Sequence, residues 1–194
     1  MKVLGLTGGI GMGKSTVAAM FEACGIPAFN ADKAVHALQA PDGAAIPALA
    51  AAFPGTVRDG VLDRAALRAL VLDDAAQMRR LEGIMHPLVR AAEADFMAHA
   101  QAEGRPAVLL DIPLLLESGA RDRFYKVITV SCPRETQIAR VAARGLPLAQ
   151  IEAIIARQMP DARKRELADM VIETGGTLAD TQAQVARLIA ELGL

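Results

Sequence analysis

The chain has 194 residues, of which 53% are hydrophobic and 22% are charged, and its formal net charge at pH 7 is -1. This length suits a single domain with a full core, and the near-neutral charge excludes a protein held on nucleic acid by bulk positive charge. No apolar run approaches the ~18 residues of a membrane helix, and abundant apolar residues with balanced charge exclude a disordered chain.

Short apolar runs bounded by turn residues alternate along the chain with amphipathic helical segments. A first buried strand is predicted at 3–7, followed by a helix that ends at Gly25. Because the predicted strands are separated by helices, the chain should form a parallel sheet with helices on both faces, an α/β fold. The other four predicted strands are 26–29, 108–111, 126–131 and 170–172, and a closing helix is predicted at 178–192.

The stretch from about 32 to 103 reads as several helices and is too long for a simple crossover between strands. It is therefore predicted to be an inserted subdomain that binds the substrate. Helix breaks are predicted at Pro41, Pro54-Gly55, Asp73-Asp74 and His86-Pro87.

Two cysteines, Cys24 and Cys132, show no spacing typical of a metal site. Cys24 falls on a predicted apolar helix face, and Cys132 follows a predicted strand. The absence of a secretory pattern and the isolated cysteines favour a reduced, cytoplasmic protein. The chain also lacks tryptophan and has only one tyrosine, so it is a poor candidate for stacking single-stranded nucleic acid.

The strongest motif lies between the first predicted strand and its helix, at residues 8–16. The segment fits G-x-x-x-x-G-K-[ST] without a gap. Glycines let successive backbone N–H groups face phosphate oxygens, and the helix N-terminus adds its positive dipole end. Lys14 is predicted to contact the β- and γ-phosphates of a nucleotide, and Ser15 to bind Mg²⁺. The alternative is a glycine-rich turn that binds nothing.

Two carboxylates come directly after predicted strands. Asp111 ends the strand at 108–111, where an acidic group can hold the metal through water; the alternative is a carboxylate that caps the next turn. Asp32 follows the second strand and could accept the proton of a substrate hydroxyl. The alternative for Asp32 is the N-cap of the helix that begins near Lys33.

The segment 121–165 contains ten basic and four acidic residues, a local excess of positive charge within a neutral protein. Arg140 and Arg144 are spaced for one helix face, and this arrangement suits a lid that closes over ATP phosphates. The alternative is a solvated basic face.

Several of these motifs together resemble the dephospho-CoA kinases, and the resemblance runs nearly from end to end. It is carried by the phosphate loop, Asn30-Ala31-Asp32, His86-Pro87, and residues 112–117 and 135–140. It implies a three-layer α/β/α P-loop kinase fold with a five-stranded parallel sheet. The core would be about 1–31, 104–139 and 166–194, the helical CoA-binding insert about 32–103, and the lid about 140–165.

The resemblance also implies a reaction, its cofactors and its site residues. ATP would phosphorylate the ribose 3′-hydroxyl of 3′-dephospho-CoA with Mg²⁺, and no nucleic acid or membrane would take part. The residues implied for catalysis are Asp32, Lys14 and Arg140; for ATP binding, Gly9, Ile10, Gly11, Met12, Gly13, Lys14, Ser15, Thr16, Arg140 and Gly175; for the acceptor, Asp32, His86, Leu114 and Glu117; and for the metal, Ser15 and Asp111.

The chain departs from the family pattern at two places. Asn30 stands where the family often has aspartate, so the catalytic role falls on Asp32 alone. Thr174 stands where the family commonly has asparagine near the adenine, which leaves backbone groups there, such as Gly175, to contact the base. Two rival functions share parts of the pattern: another small-molecule or nucleoside monophosphate kinase, and a nucleotide-binding switch without catalysis.

Overall fold

The computed structural model describes all 194 residues, and its internal contacts divide the chain into two compact units. The first unit comprises Met1–Phe29 and Ala100–Leu194, and the second comprises Asn30–His99. No helix combines the length and the apolar character that crossing a membrane requires.

Five parallel strands form the central sheet, and across the sheet their order is Ala28–Asn30 (β2), Ala107–Asp111 (β5), Lys2–Thr7 (β1), Lys126–Ser131 (β6) and Met170–Glu173 (β7). The predicted α/β class with a five-stranded parallel sheet is therefore confirmed. The first strand is the central one of the five, so the loop that follows it leaves the sheet at the middle of the end where the parallel strands have their carboxyl termini. The strands in chain order are β1 (Lys2–Thr7), β2 (Ala28–Asn30), β3 (Val57–Arg58), β4 (Val61–Leu62), β5 (Ala107–Asp111), β6 (Lys126–Ser131) and β7 (Met170–Glu173).

Nine α-helices account for most of the remaining chain, together with a short 3₁₀ turn at Ala120–Arg123. The helices are α1 (Lys14–Ala23), α2 (Ala31–Leu38), α3 (Ile46–Ala52), α4 (Arg64–Val71), α5 (Ala75–Ala102), α6 (Arg134–Ala142), α7 (Leu148–Ala156), α8 (Asp161–Leu167) and α9 (Leu178–Glu191).

Alternate residues of β1 serve the two faces of the sheet, as the period of a strand requires. Leu4 and Leu6 join the main apolar core with Phe21 of α1 and Val185 of α9. Gly5 faces the other side, where a Cβ would lie 2.6 Å from Leu115 Cδ1. The sheet is thus covered on both faces, and β1 is buried between them.

The second unit contains most of α5 with α2, α3, α4 and an antiparallel pair formed by β3 and β4. It has a separate apolar core, which includes Leu49, Phe53, Leu67 and Met85. The two-residue strands of this hairpin are too short to produce an alternating pattern, and the sequence analysis did not predict them.

The prediction of a helix break at His86-Pro87 is wrong, because α5 continues through Pro87. Proline lacks the N–H that would bind the carbonyl of Gly83, four residues earlier. Gly83, His86 and Pro87 are all exposed, so water can satisfy that carbonyl. The expected apolar position of Cys24 is also wrong, because Cys24 caps the C-terminus of α1 and is exposed.

We expect opposite effects from two glycine-to-alanine substitutions. Gly5→Ala should lower the free energy of unfolding by about 1–3 kcal/mol, because its methyl group would meet buried Leu115 and the Phe124 ring. Gly83→Ala should raise it by about 1 kcal/mol, because this helical glycine has open space around it. Thermal denaturation of both variants tests the pair, and a rise in Tm for Gly5→Ala would contradict the packing described.

Candidate active site

The glycine-rich loop joins the central strand to α1, and its backbone conformation requires glycine at two positions. Gly11 has φ +77° and Gly13 has φ +88°, both in the left-handed region that residues with a Cβ rarely adopt. Gly13 is the N-cap of α1 and supplies no side chain to cap it. The Thr16 N–H donates to the Gly13 carbonyl at 3.1 Å, whereas the N–H groups of Lys14 and Ser15 have no protein acceptor and are available to an anion.

Side chains from outside the loop hold its backbone in place. The amide of Gln137 on α6 donates to the carbonyl of Ile10 at 2.8 Å, and the N–H of Ile10 donates to Gln158 Oε1 at 3.0 Å. The hydroxyl of Thr174, directly after β7, donates to the carbonyl of Met12 at 2.7 Å. Three separate segments of the first unit thus fix the course of the loop.

Lys14 and Asp111 form an ion pair at the base of the loop. The Asp111 side chain is fully buried, and the Lys14 side chain is 13% exposed. Ser15 follows Lys14 at the start of α1 and is exposed, as is Thr16. The pair supplies one carboxylate and one ammonium group, and Ser15 with its exposed hydroxyl is the next residue of the chain after Lys14.

Arg140 is held against the segment that follows β7. Its guanidinium donates to Thr174 Oγ1 at 3.0 Å and to the Thr174 carbonyl at 2.6 Å. A cavity of about 400 Å³ opens beside this contact, and the exposed Arg144 is part of its wall. The other lining residues are Gly11, Gly13, Thr16, Arg140, Ala143, Thr174, Gly176, Leu178 and Thr181.

Gly175 lies against the start of α6. A Cβ at Gly175 would be 2.5 Å from Pro133 Cδ, so a side chain at this position would force the segment after β7 away from α6. The absence of a side chain therefore keeps the Thr174 contacts with Arg140 and Met12 at hydrogen-bond distance.

Glu117 and Leu114 lie in the loop that follows β5. Leu114 is 50% exposed. Glu117 Oε1 accepts from the ammonium of Lys164 at 2.6 Å and from the N–H of Met159 at 3.2 Å. The Lys164 side chain is only 1% exposed, so its charge depends on Glu117. In this conformation Glu117 links the loop to the segment before α8 and to α8 itself.

Asp32 and His86 belong to the second unit, Asn30–His99. Asn30 is the N-cap of α2, and its side chain accepts from the N–H of Lys33 at 2.8 Å. The alternative interpretation of Asp32 as that cap is therefore wrong. Asp32 lies in the first turn of α2 with an exposed side chain, and His86 is an exposed residue within α5.

Cys132 is buried beneath the loop, where its thiol lies 3.4 Å from the sulfur of Met12. Burial raises the pKa of this thiol above its usual value, despite the opposing effects of Arg140 and Thr174. The thiol therefore stays protonated at neutral pH and serves as packing rather than as a nucleophile.

The structure brings together the phosphate loop, Lys14, Ser15, Asp111, Arg140 and Gly175 in the first unit. Three contacts of the loop were not predicted from the sequence: those of Gln137, of Gln158, and of Thr174 with Met12 and Arg140. The sequence carries a signal for Gln137 alone, because this polar residue lies on the buried side of an amphipathic helix.

Comparison with known proteins gives consistent results. The family model described as dephospho-CoA kinase matches residues 2–180. The chain is 52% identical over 193 residues to the dephospho-CoA kinase of Mesorhizobium japonicum, covering 99% of this chain and 97% of that protein, and 48% identical to that of Bradyrhizobium diazoefficiens, covering 99% and 96%.

Solved structures agree on the fold. A protein from Thermus thermophilus is 36% identical, with a TM-score of 0.86 and coverage of 98% of this chain and 97% of that one. The dephospho-CoA kinase from Campylobacter jejuni has a TM-score of 0.68 at 24% identity and covers 98% and 97%. A shikimate kinase from Acinetobacter baumannii shares only the fold, with a TM-score of 0.52 at 19% identity over 100% and 96% of the two chains.

Thr174→Val should lower both the stability of the fold and the affinity for ATP. Valine keeps the shape of threonine but leaves the Met12 carbonyl without its donor and Arg140 without one acceptor. We expect a loss of about 1–3 kcal/mol in the free energy of unfolding and weaker ATP binding. Denaturant titration and calorimetry measure the two effects. Thr174→Ser, which keeps the hydroxyl, is the control, and equal behaviour of valine and serine would contradict the role of the hydroxyl.

Proposed function

Because the chain belongs to the dephospho-CoA kinase family, we propose that its phosphate-loop site transfers the γ-phosphoryl group of ATP to the ribose 3′-hydroxyl of 3′-dephospho-CoA. The products are CoA and ADP, and the reaction is the final step of CoA biosynthesis. The observation that carries this conclusion is an intact phosphate loop in a chain that matches the family over residues 2–180.

The charges around the loop suit phosphoryl transfer, which depends chiefly on positioning and electrostatic stabilisation. The N–H groups at the start of α1 would hold the β-phosphate, and Lys14 would contact the β- and γ-phosphates. Arg140 and Arg144 line the adjoining cavity and would meet phosphate charge there. The Lys14–Asp111 pair keeps the ammonium compensated until a nucleotide supplies further negative charge.

The adenosine of ATP would occupy the cavity of about 400 Å³ beside Thr174. Its walls combine the backbone at Gly176 with the apolar side chain of Leu178. The apolar wall suits the flat face of the base, and backbone groups can bind the base edge. Gly175 and the Thr174 backbone would replace the asparagine that the family commonly has at this position.

The donors near Lys14 fit Mg²⁺. This ion prefers oxygen ligands, keeps several waters and is usually bound through one or two protein groups plus substrate phosphates. We propose that the Ser15 hydroxyl and the Asp111 carboxylate hold the ion, Asp111 through water. Bound Mg²⁺ would neutralise charge on the β- and γ-phosphate oxygens.

Asp32 would orient the 3′-hydroxyl of dephospho-CoA and accept its proton as the oxygen attacks the γ-phosphorus. Two observations support this role. The carboxylate is exposed at the start of α2, and the capping of α2 is already performed by Asn30. His86 and the exposed Leu114 are proposed to contact the acceptor, whereas Glu117 would act on this side through its ion pair with Lys164.

Dephospho-CoA should be a much better acceptor than AMP or adenosine. Contacts to the pantetheine and pyrophosphate can orient the 3′-hydroxyl, so truncated acceptors should lose kcat as well as affinity. ADP release with Mg-ATP measures the rates for each acceptor, with shikimate as an unrelated alcohol. Equal kcat/KM for adenosine and dephospho-CoA would instead indicate a general nucleoside kinase.

Asp32→Asn should lower kcat by about 10²–10⁴, the usual scale for a positioned acid or base, with little change in Tm or ATP affinity. Asparagine has nearly the shape of aspartate but cannot accept the proton. Asn30→Asp is the matched control, because aspartate caps a helix as well as asparagine and the activity should persist. Steady-state kinetics and thermal melting of both variants test the assignment, and full activity of Asp32→Asn would disprove it.

A further inference from the structure

Gln158 has a role that the phosphate-loop motif does not include. It follows α7 in the sequence, and its Oε1 accepts the Ile10 N–H at 3.0 Å. Because a backbone N–H can only donate, this contact determines which end of the Gln158 amide is oxygen and which is nitrogen. The NH₂ end must therefore point away from Ile10.

The neighbouring glutamine is different. Gln137 uses both ends of its amide, since its Nε2 donates to the Ile10 carbonyl and its Oε1 accepts from Arg134 at 3.3 Å. The Nε2 of Gln158 makes no hydrogen bond in the structure. Gln158 thus presents an oriented and unused pair of N–H donors beside the phosphate loop.

Gln158, which carries the free donor, lies beside the Gly9 end of the phosphate loop. Gly11, Gly13 and Thr16 border the cavity assigned to adenosine, whereas Gly9 and Gln158 border a separate cavity of about 380 Å³. The β-phosphate would lie over the first turn of α1. A triphosphate that extends from the adenosine cavity across this turn and past Lys14 would bring its terminal phosphate to the Gly9 side of the loop, where Gln158 lies.

We propose that the Gln158 amide donates a hydrogen bond to the γ-phosphoryl group of ATP and is a further catalytic residue of the transfer; this rests on the proposed function. Ile10 fixes the orientation of the amide before the nucleotide arrives, so the donor needs little reorganisation when charge builds on the transferring group. As a neutral donor, the amide adds stabilisation without adding to the positive charge of Lys14, Arg140 and Arg144.

One other acceptor must be considered. Asp161 lines the same cavity, where its Oδ2 accepts from the hydroxyl of Ser131 at 2.7 Å and its buried Oδ1 has no hydrogen-bond partner. If the Gln158 amide donates to Asp161 through a water, the role of Gln158 is structural. Asp161→Asn distinguishes the two cases, because asparagine can still accept from Ser131.

Gln158→Glu is the decisive variant. Its carboxylate can accept the Ile10 N–H as glutamine does, but it replaces the donor with a negative charge. We expect kcat to fall by about 10- to 100-fold and the preference for a non-hydrolysable ATP analogue over ADP to fall by about 10-fold, with Tm nearly unchanged. Gln150→Glu, at an exposed position of α7, introduces the same charge without a loop contact and should leave all three measurements unchanged.

Calorimetry with the ATP analogue and with ADP needs no acceptor, so this measurement stands even if dephospho-CoA proves not to be the substrate. Gln158→Met, which loses both ends of the amide, should reduce the analogue preference equally. The proposal is overturned if Gln158→Glu keeps the wild-type kcat and analogue preference while Gln158→Met is impaired. It is also overturned if Asp161→Asn reproduces the losses of Gln158→Glu.

Discussion

The phosphate loop must stay open to a ligand, and this constraint governs the structure around it. N–H groups that are kept for phosphate cannot also hold the loop together, and its glycines have no side chains to pack. Within the loop, the Met12 N–H donates to the Gly9 carbonyl at 3.2 Å, and the other contacts that hold it come from elsewhere. Here Gln137 and Gln158 bind Ile10, and Thr174 binds Met12. Each of these residues belongs to a segment distant in sequence from the loop.

The need to bind a triphosphate also constrains the charges around the loop. A site for a triphosphate needs cations, yet an unpaired cation in a protein interior is costly. Lys14 is compensated by buried Asp111, and buried Lys164 is compensated by Glu117. Arg140 is held instead by neutral oxygens of Thr174, so its positive charge has no carboxylate partner in this contact. Of these three cations, Arg140 retains the most uncompensated charge for a nucleotide.

The family assignment and the local geometry support each other but answer different questions. The similarity over residues 2–180 identifies the reaction and the acceptor, which a phosphate loop alone does not. The geometry of the first unit explains how the loop, the ion pair and the nucleotide cavity are built. The roles of Asp32, His86, Leu114 and Glu117 toward the acceptor stay predictions, as does the cytoplasmic location.

The sequence by itself determined the features that depend on neighbouring residues. The strand at Lys126–Ser131 has the predicted bounds, and the G-x-x-x-x-G-K-S motif lies between a strand and a helix as expected. Apolar runs and glycine positions carry these signals, because burial and backbone freedom are properties of short segments. The cap of α2 is equally local, although the sequence pattern offered Asp32 for this role and the structure has Asn30 in it.

Only the tertiary structure decided the partners that come from distant parts of the chain. Nothing in the local pattern links Gln158 to Ile10 or Lys164 to Glu117, because each pair meets through the packing of separate elements. The continuity of α5 through Pro87 was also decided by context, since the cost of one missing hydrogen bond depends on whether water reaches the carbonyl. Sequence patterns report what a segment prefers, whereas the folded chain determines which polar groups meet.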